Sequence, residues 1–168
     1  VEVTTGPLGQ GFANAVGMAI SERWLREKFG AENISHNVFV ICGDGDLSEG
    51  VSHEAASLAG SQQLGNLICI YDDNHVTIDG PTELSLADDA AKRFEAYGWN
   101  VIDLGESGED LDAIENALLD GKSNTTSPTI IILRTHIGHP SPTLTDSPSA
   151  HGYAFKDKEI IEAKELML

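Results

Sequence analysis

The chain has 168 residues, of which 40% are hydrophobic and 22% charged, a balance typical of a folded domain and not of a disordered segment. Its 27 acidic residues outnumber 10 basic ones and give a net charge of −17, which argues against nucleic acid or an anionic membrane as a partner. No apolar run approaches the roughly 20 residues that a membrane span needs, so we also expect no membrane insertion.

Helical and strand-like patterns alternate along the chain. Apolar residues at helical spacing predict helices over 9–29, 51–64, 86–97, 109–120 and 156–167. Short apolar runs predict strands at 38–42, 67–71, 100–104 and 129–133. A stretch rich in Pro, Ser, Thr and Gly predicts one long loop over 134–153. Strands without polar alternation, separated by helices, are typical of a mostly parallel sheet covered on both faces. We therefore expect a single α/β domain over 1–168 with three layers, α/β/α.

The two cysteines lie in predicted strands. Cys42 and Cys69 form neither a CxxC motif nor a disulfide framework, so we expect buried thiols and a reducing compartment, namely the cytoplasm. The chain begins at Val1 rather than at a Met, from which we expect it to be part of a longer protein.

A glycine-rich acidic turn, Gly-Asp-Gly-Asp-Leu-Ser-Glu-Gly at 43–50, follows the first predicted strand. Glycines let backbone N–H groups approach an anion, and an adjoining helix N-terminus favours negative charge. Asp44 is a hard oxygen donor, and its carboxylate beside a phosphate would need a cation between them. The turn lacks the Gly-Lys-Ser/Thr of a P-loop and the spacing of a dinucleotide fingerprint. Taken alone, it is equally consistent with a turn whose acid caps a helix.

A second polar segment follows the next predicted strand. Asn74 stands some thirty positions after Asp44, and adjacent parallel strands would bring both residues to one edge of the sheet. A carboxylate, an amide oxygen and a backbone carbonyl suit Mg²⁺ or Ca²⁺, with diphosphate oxygens and water completing six ligands. This pairing of Gly-Asp-Gly with a downstream Asn is the thiamine diphosphate motif.

Four segments taken together resemble transketolase. They are Thr-Thr-Gly-Pro-Leu-Gly-Gln-Gly at 4–11, the acidic turn continued to 56, Tyr-Asp-Asp-Asn with Thr-Ile-Asp-Gly at 71–80, and Phe-Glu-Ala-Tyr-Gly-Trp at 94–99. The similarity is collinear over about residues 2–152 and corresponds to the diphosphate-binding domain of that family. It implies that the chain is a partial diphosphate-binding domain, with the pyrimidine-binding and C-terminal domains absent.

The resemblance implies an activity as well as a fold. Transketolases move a two-carbon ketol unit from a ketose phosphate to an aldose phosphate in the pentose phosphate pathway. Thiamine diphosphate and Mg²⁺ (or Ca²⁺) would be the cofactors, sugar phosphates the substrates, and a homodimer would form through this domain in the full-length enzyme. Because the cofactor-activating glutamate and the upstream histidines of the family lie outside these residues, the 168 residues alone are expected to be inactive.

The resemblance also assigns roles to the metal and diphosphate ligands. Asp44, the side chain of Asn74 and the backbone carbonyl of Val76 would bind the metal, and Asn74 would also contact the cofactor. Gly6 and Gly45 would approach the diphosphate through their backbone.

Further roles concern the rings of the cofactor, the substrate and the subunit interface. His151 would lie beside the diphosphate and substrate and handle a proton. The side chains that would pack around the cofactor rings are Leu8, Ile78 and Ile137. The acids that would lie near the subunit interface and couple the two cofactor sites are Glu49, Glu54 and Asp72.

Two other interpretations share these motifs. One is a related thiamine diphosphate enzyme, such as a dihydroxyacetone synthase or the N-terminal subunit of a split transketolase. The other is a homologue that binds the cofactor and dimerises without catalysis. One departure from the family bears on substrate preference: His139 and Pro140 stand where transketolases commonly have an aromatic residue and Gly.

Overall fold

A parallel four-stranded sheet forms the centre of the structure, a computed structural model that describes residues 1–167. The strands found in these residues are β1 (Val38–Gly43), β2 (Leu67–Asp73), β3 (Val76–Thr77), β4 (Gly80–Pro81), β5 (Asn100–Asp103) and β6 (Thr129–Arg134). The sheet has the order β1-β2-β6-β5, and each neighbouring pair is parallel. The remaining two strands, β3 and β4, pair as a short antiparallel hairpin directly after β2.

Six α-helices lie within residues 1–167. They are α1 (Gln10–Phe29), α2 (Asp44–Ser48), α3 (Gly50–Ser61), α4 (Ala90–Ala96), α5 (Leu111–Ser123) and α6 (Asp157–Met167). None of them is both long and apolar enough to cross a membrane. Every predicted strand agrees with an observed one to within a residue or two, and the expected three-layer α/β/α fold is confirmed.

Two helix starts differ from prediction. The helix predicted over 86–97 begins only at Ala90, where the Asp89 carboxylate accepts the Lys92 N–H at 3.0 Å and caps the helix. The helix predicted over 109–120 begins at Leu111, capped in the same way by Asp110. In both cases a capping acid, and not the first apolar residue of the pattern, sets the boundary.

The two faces of the sheet bury separate apolar clusters, because successive residues of a strand point to opposite faces. Between the sheet and helices α1, α3 and α4 lies the larger cluster, which includes Phe12, Ala56, Leu67, Cys69, Phe94, Trp99 and Ile130. Between the sheet and α5 lies the smaller one, which includes Ile68, Ala117, Ile131 and Leu133. The central strands β2 and β6 are therefore covered on both sides, and their carboxyl ends are held in fixed positions.

Helix α3 packs closely against the turn between α4 and β5. The Trp99 indole N–H donates to the Ala56 carbonyl at 2.8 Å, and its ring stacks on Phe12 with ring centroids 5.9 Å apart. A Cβ added to Gly60 would lie 1.8 Å from the Tyr97 carbonyl oxygen. Only a residue without a side chain fits at position 60, so this contact fixes the distance between α3 and the turn.

We expect Gly60→Ala to lower the free energy of unfolding by about 2–3 kcal/mol, because the added methyl must displace the backbone of the turn. Thermal or urea unfolding followed by circular dichroism measures the change. Gly17→Ala is the matched control. Gly17 lies inside α1 with no described atom within 4 Å of an added Cβ, so alanine should raise stability by about 0.5–1 kcal/mol. Equal effects of the two substitutions would contradict the packing described here.

Candidate functional site

The carboxyl ends of three neighbouring strands define the candidate site. In the parallel register Asp72 of β2 lies between Gly43 of β1 and Leu133 of β6. The segments that follow these strands carry Asp44, Asn74 and Ile137, three of the predicted site residues. The structure therefore brings the predicted metal ligands to one edge of the sheet, where parallel α/β proteins bind their ligands.

Asp44 begins α2 with its side chain buried, at 4% exposure. The Tyr71 hydroxyl donates to its Oδ1 at 2.5 Å, whereas its Oδ2 is buried and has no hydrogen-bond partner among the described residues. Burial raises the pKa of Asp44 above its usual range, and the hydrogen bond from Tyr71 opposes that change. A buried carboxylate oxygen without a donor is costly, and a cation bound there would remove this cost.

Tyr71 is a site residue that the sequence does not predict, because a tyrosine at the end of an apolar run is typical of any buried strand. Burial, together with the neighbouring Asp44, raises the pKa of its hydroxyl far above the usual value. The hydroxyl therefore keeps its proton and stays a donor to the Asp44 carboxylate. Asp73 Oδ1 lies 3.2 Å from the same hydroxyl, so two acidic side chains converge on Tyr71.

The Asn74 amide is held by its neighbours in a defined orientation. Its Nδ2 donates to Asp72 Oδ2 at 2.9 Å, and its Oδ1 accepts the Val76 N–H at 2.9 Å. A carbonyl oxygen has two lone pairs, so Oδ1 retains one for a cation. In the hairpin the Thr82 N–H donates to the His75 carbonyl at 3.0 Å, so the next pair, Val76 and Pro81, is a non-hydrogen-bonded pair in which the Val76 carbonyl accepts nothing from Pro81.

These donors fit a hard divalent cation, which takes oxygen ligands. Within residues 1–167 no group of three or more His, Cys, Asp or Glu side chains is arranged to hold a metal ion. The expected donor set contains only one such residue, Asp44, and its other members are an amide oxygen and a backbone carbonyl. Any bound cation would depend on further oxygens from a ligand or from water.

Asp46 connects two glycine-rich turns. Its Oδ1 accepts the Gly9 N–H at 2.8 Å, and its Oδ2 accepts the Gly43 N–H at 3.0 Å. The Ser52 hydroxyl donates to the Asp46 backbone carbonyl at 2.6 Å. Asp46 is absent from the predicted site residues, although the sequence carries a signal for it: an acid at the third position of a helix can reach back to the backbone N–H that precedes the helix.

Of the predicted diphosphate and ring contacts, Gly6, Leu8 and Ile78 are exposed, whereas Gly45 and Ile137 are half-buried. A Cβ added to Gly45 would lie 3.2 Å from Leu8 Cδ1, so these two residues are brought together, whereas nothing described lies within 4 Å of an added Cβ at Gly6. Leu8 is 51% exposed and Ile78 is 66% exposed, and Ile137 is half-buried. Such exposed apolar side chains leave surface that a ligand could cover.

His151 follows a short 3₁₀ turn, Pro148–Ala150, at the far end of the long loop. The residue is half-buried, and its Nδ1 is buried without a hydrogen-bond partner in residues 1–167. Elsewhere in the loop the His136 Nδ1 lies 2.9 Å from an Asp146 carboxylate oxygen. No hydrogen bond among the described residues joins His151 to the side chains around Asp44.

The three predicted interface acids separate into two kinds. Glu49 and Glu54, near the start of α3, are exposed. Asp72 is half-buried and engaged on both carboxylate oxygens, one bonded to Asn74 and the other to the hydroxyl of Thr135. Its contacts in this chain are thus with the loop that carries Asn74 and with the loop after β6.

These features define a class of α/β domain in which glycine-rich and polar loops form a ligand site at the carboxyl edge of a parallel sheet. Comparison of the sequence with models of known families identifies one family within this class. The sequence model of the family described as "Transketolase, thiamine diphosphate binding domain" matches residues 1–167. The chain belongs to this family, which confirms the resemblance found in the motifs.

Curated relatives are transketolases. The protein from Mycobacterium leprae (strain TN) is 47% identical over 99% of this chain and 25% of its own length. The protein from Aquifex aeolicus (strain VF5) is 53% identical over 96% of this chain and 23% of its own length. The chain therefore spans about a quarter of the length of these relatives.

Solved structures agree with the sequence relatives. Transketolase from Campylobacter jejuni matches with a TM-score of 0.94 and 42% identity, covering 99% of this chain and 26% of that protein. A transketolase from Pichia stipitis in complex with sedoheptulose-7-phosphate matches with a TM-score of 0.94 and 39% identity, covering 99% of this chain and 25% of that protein.

We expect Asp46→Ala to speed hydrogen exchange at the Gly9 and Gly43 amides by about 10- to 100-fold, since hydrogen bonds to a charged acceptor contribute about 1.5–3 kcal/mol each. Hydrogen–deuterium exchange with peptide-level mass spectrometry measures both turns at once. Glu115→Ala, on the exposed side of α5, is the control and should leave exchange in both turns unchanged. If only one of the two turns responds to Asp46→Ala, Asp46 does not connect them.

Proposed function

We propose that this chain is the thiamine diphosphate- and metal-binding part of a transketolase, one domain of a longer protein that also contains pyrimidine-binding and C-terminal domains. The full-length enzyme transfers a two-carbon ketol unit from a ketose phosphate to an aldose phosphate, in the cytoplasm and in the pentose phosphate pathway. The observation that carries the proposal is the buried, unpartnered Oδ2 of Asp44 within the family's acidic turn. The Pichia stipitis relative, crystallised with sedoheptulose-7-phosphate, supports sugar phosphates as substrates.

In this proposal the chain's own residues bind and orient the cofactor. Asp44, the Asn74 amide oxygen and the Val76 carbonyl would hold Mg²⁺ or Ca²⁺, a hard cation that would supply positive charge for the diphosphate. Gly6 and Gly45 present backbone to the diphosphate without side chains in the way. When bound, thiamine diphosphate supplies a nucleophilic carbon and takes up the electron pair of the broken carbon–carbon bond.

The remaining predicted residues enclose the reaction. The apolar side chains of Leu8, Ile78 and Ile137 pack on the cofactor rings and exclude water from them. His151 contacts the substrate and moves a proton, and the unpartnered Nδ1 of its ring supports this assignment. The exposed Glu49 and Glu54 face the partner subunit of a homodimer. Because this chain provides only one part of that site, we propose that the 168 residues alone are inactive.

The decisive experiment is turnover of xylulose 5-phosphate with ribose 5-phosphate by the full-length protein. We expect activity that requires both thiamine diphosphate and Mg²⁺ or Ca²⁺, and we expect Asp44→Ala to abolish it by removing the buried metal ligand. Calorimetry should show loss of cofactor affinity in this variant. Normal affinity in Asp44→Ala, with its circular dichroism spectrum unchanged, would refute the assignment of the metal site.

The donor and acceptor profile of the same preparation distinguishes the alternatives. Transfer to formaldehyde in preference to aldose phosphates indicates a dihydroxyacetone synthase. Cofactor binding without any turnover indicates a non-catalytic homologue.

We expect His151→Ala in the full-length protein to lower kcat by about ten- to a thousandfold, the range for loss of one positioned acid–base or oxyanion contact. Cofactor affinity should change less than kcat, because the proposed metal ligands and the backbone contacts of Gly6 and Gly45 to the diphosphate are unchanged. Steady-state kinetics and calorimetry measure the two effects separately. His136→Ala, on the same loop and paired with Asp146, is the comparison and should reduce kcat less. Wild-type kcat in His151→Ala would make the residue a structural part of its loop.

A further inference from the structure

A chain of hydrogen bonds crosses the carboxyl edge of the sheet from the loop after β6 to the hairpin after β2. The Thr135 hydroxyl donates to Asp72 Oδ1, and the Asn74 Nδ2 donates to Asp72 Oδ2 at 2.9 Å. The Val76 N–H then donates to the Asn74 Oδ1 at 2.9 Å. The Thr135 backbone N–H also donates to the carbonyl of Asp73, the last residue of β2, at 3.3 Å, which holds the start of the long loop at the end of that strand.

The two hydrogen-bond partners of the Asn74 side chain determine which way its amide group is oriented. The oxygen and nitrogen ends of an amide have nearly the same shape, so packing alone does not choose between the two orientations. An ionised Asp72 only accepts hydrogen bonds and therefore requires the NH₂ group of Asn74 on its side. The Val76 N–H only donates and therefore requires the oxygen on the other side. A reversed amide would lose both bonds and would offer a cation its NH₂ group.

Asp72 is itself held in place. Its backbone lies between β1 and β6 in the register, opposite Gly43 and Leu133. Its side chain has a second partner in Thr135, so rotation away from Asn74 would break a hydrogen bond on each oxygen. A partner of this kind, which orients a metal ligand without touching the metal, commonly changes metal affinity by about 10- to 100-fold when it is removed.

We propose that Asp72 and Thr135 are positioning residues that hold the Asn74 amide with its oxygen, and not its nitrogen, available as a metal donor. This inference rests on the proposed function, in which Asn74 is a metal ligand. In this inference Asp72 has a role within its own subunit. Thr135, at the start of the long loop after β6, contributes to metal affinity by holding the Asp72 carboxylate.

The test is the affinity of the full-length protein for Mn²⁺ in the presence of excess thiamine diphosphate, measured by electron paramagnetic resonance of the free ion. Thr135→Val removes the hydroxyl and keeps the shape of the side chain, so we expect the Kd for Mn²⁺ to rise about tenfold. Thr135→Ser restores the hydroxyl and should return the Kd to within about twofold of the wild-type value. Thr143→Val, at an exposed threonine of the same loop, is the matched control and should leave the Kd unchanged.

A double-mutant cycle separates positioning from a general loss of structure. If Thr135 acts through Asn74, Thr135→Val has no further effect on Mn²⁺ affinity once Asn74→Ala is present. Additive effects, or a wild-type Kd in Thr135→Val, overturn the inference. If Thr135→Val does not fold, as judged by circular dichroism, the same cycle with Asp72→Ala, which removes both acceptor oxygens, decides the question.

The same titration keeps the two proposals distinct. Asp44→Ala must lose Mn²⁺ affinity if the proposed function is right, whatever Thr135 does. A normal Kd in Asp44→Ala refutes the metal site itself, whereas loss in Asp44→Ala with a normal Kd in Thr135→Val refutes only the positioning role.

Discussion

The carboxylate of Asp46, shared between the backbone N–H groups of Gly9 and Gly43, is the interaction on which the arrangement of the site depends. One oxygen holds the start of α1 and the other holds the end of β1, so two segments distant in the sequence become one surface. The Leu8 side chain then lies against Gly45. The proposed backbone contacts to a diphosphate, at Gly6 and Gly45, come from these two turns, and a single acidic side chain sets the spacing of the turns.

Most of the fold could be predicted from the sequence because the sheet is buried on both faces. Runs such as the one around Ile68 and Ile131 are continuously apolar, and their ends coincide with the first polar or glycine residues. The hairpin after β2 and the short helix α2 could not be predicted in this way. They are held by side-chain hydrogen bonds of residues such as Asn74 and Asp46, which leave no periodic apolar pattern.

The candidate site could be predicted in part, because the order of strands and loops places some of its residues. Neighbouring parallel strands end together, so the spacing of Asp44 and Asn74 sufficed to place both at one edge. Tyr71 and Thr135 gave no such signal, because a tyrosine within a strand and a threonine at a loop start have many ordinary roles. Tyr71 faces the buried carboxylate of Asp44, and Thr135 faces the half-buried carboxylate of Asp72, and only tertiary structure supplies that information.

The unpartnered oxygen of Asp44 would make the stability of the fold depend on the concentration of a bound cation. A folded chain with an unsatisfied buried carboxylate carries a cost that the unfolded chain, with its carboxylate in water, does not. A cation that bound at this position in preference to the unfolded chain would raise the population of folded molecules with its free concentration, by mass action. The stability of the folded chain would thus depend on the availability of that cation.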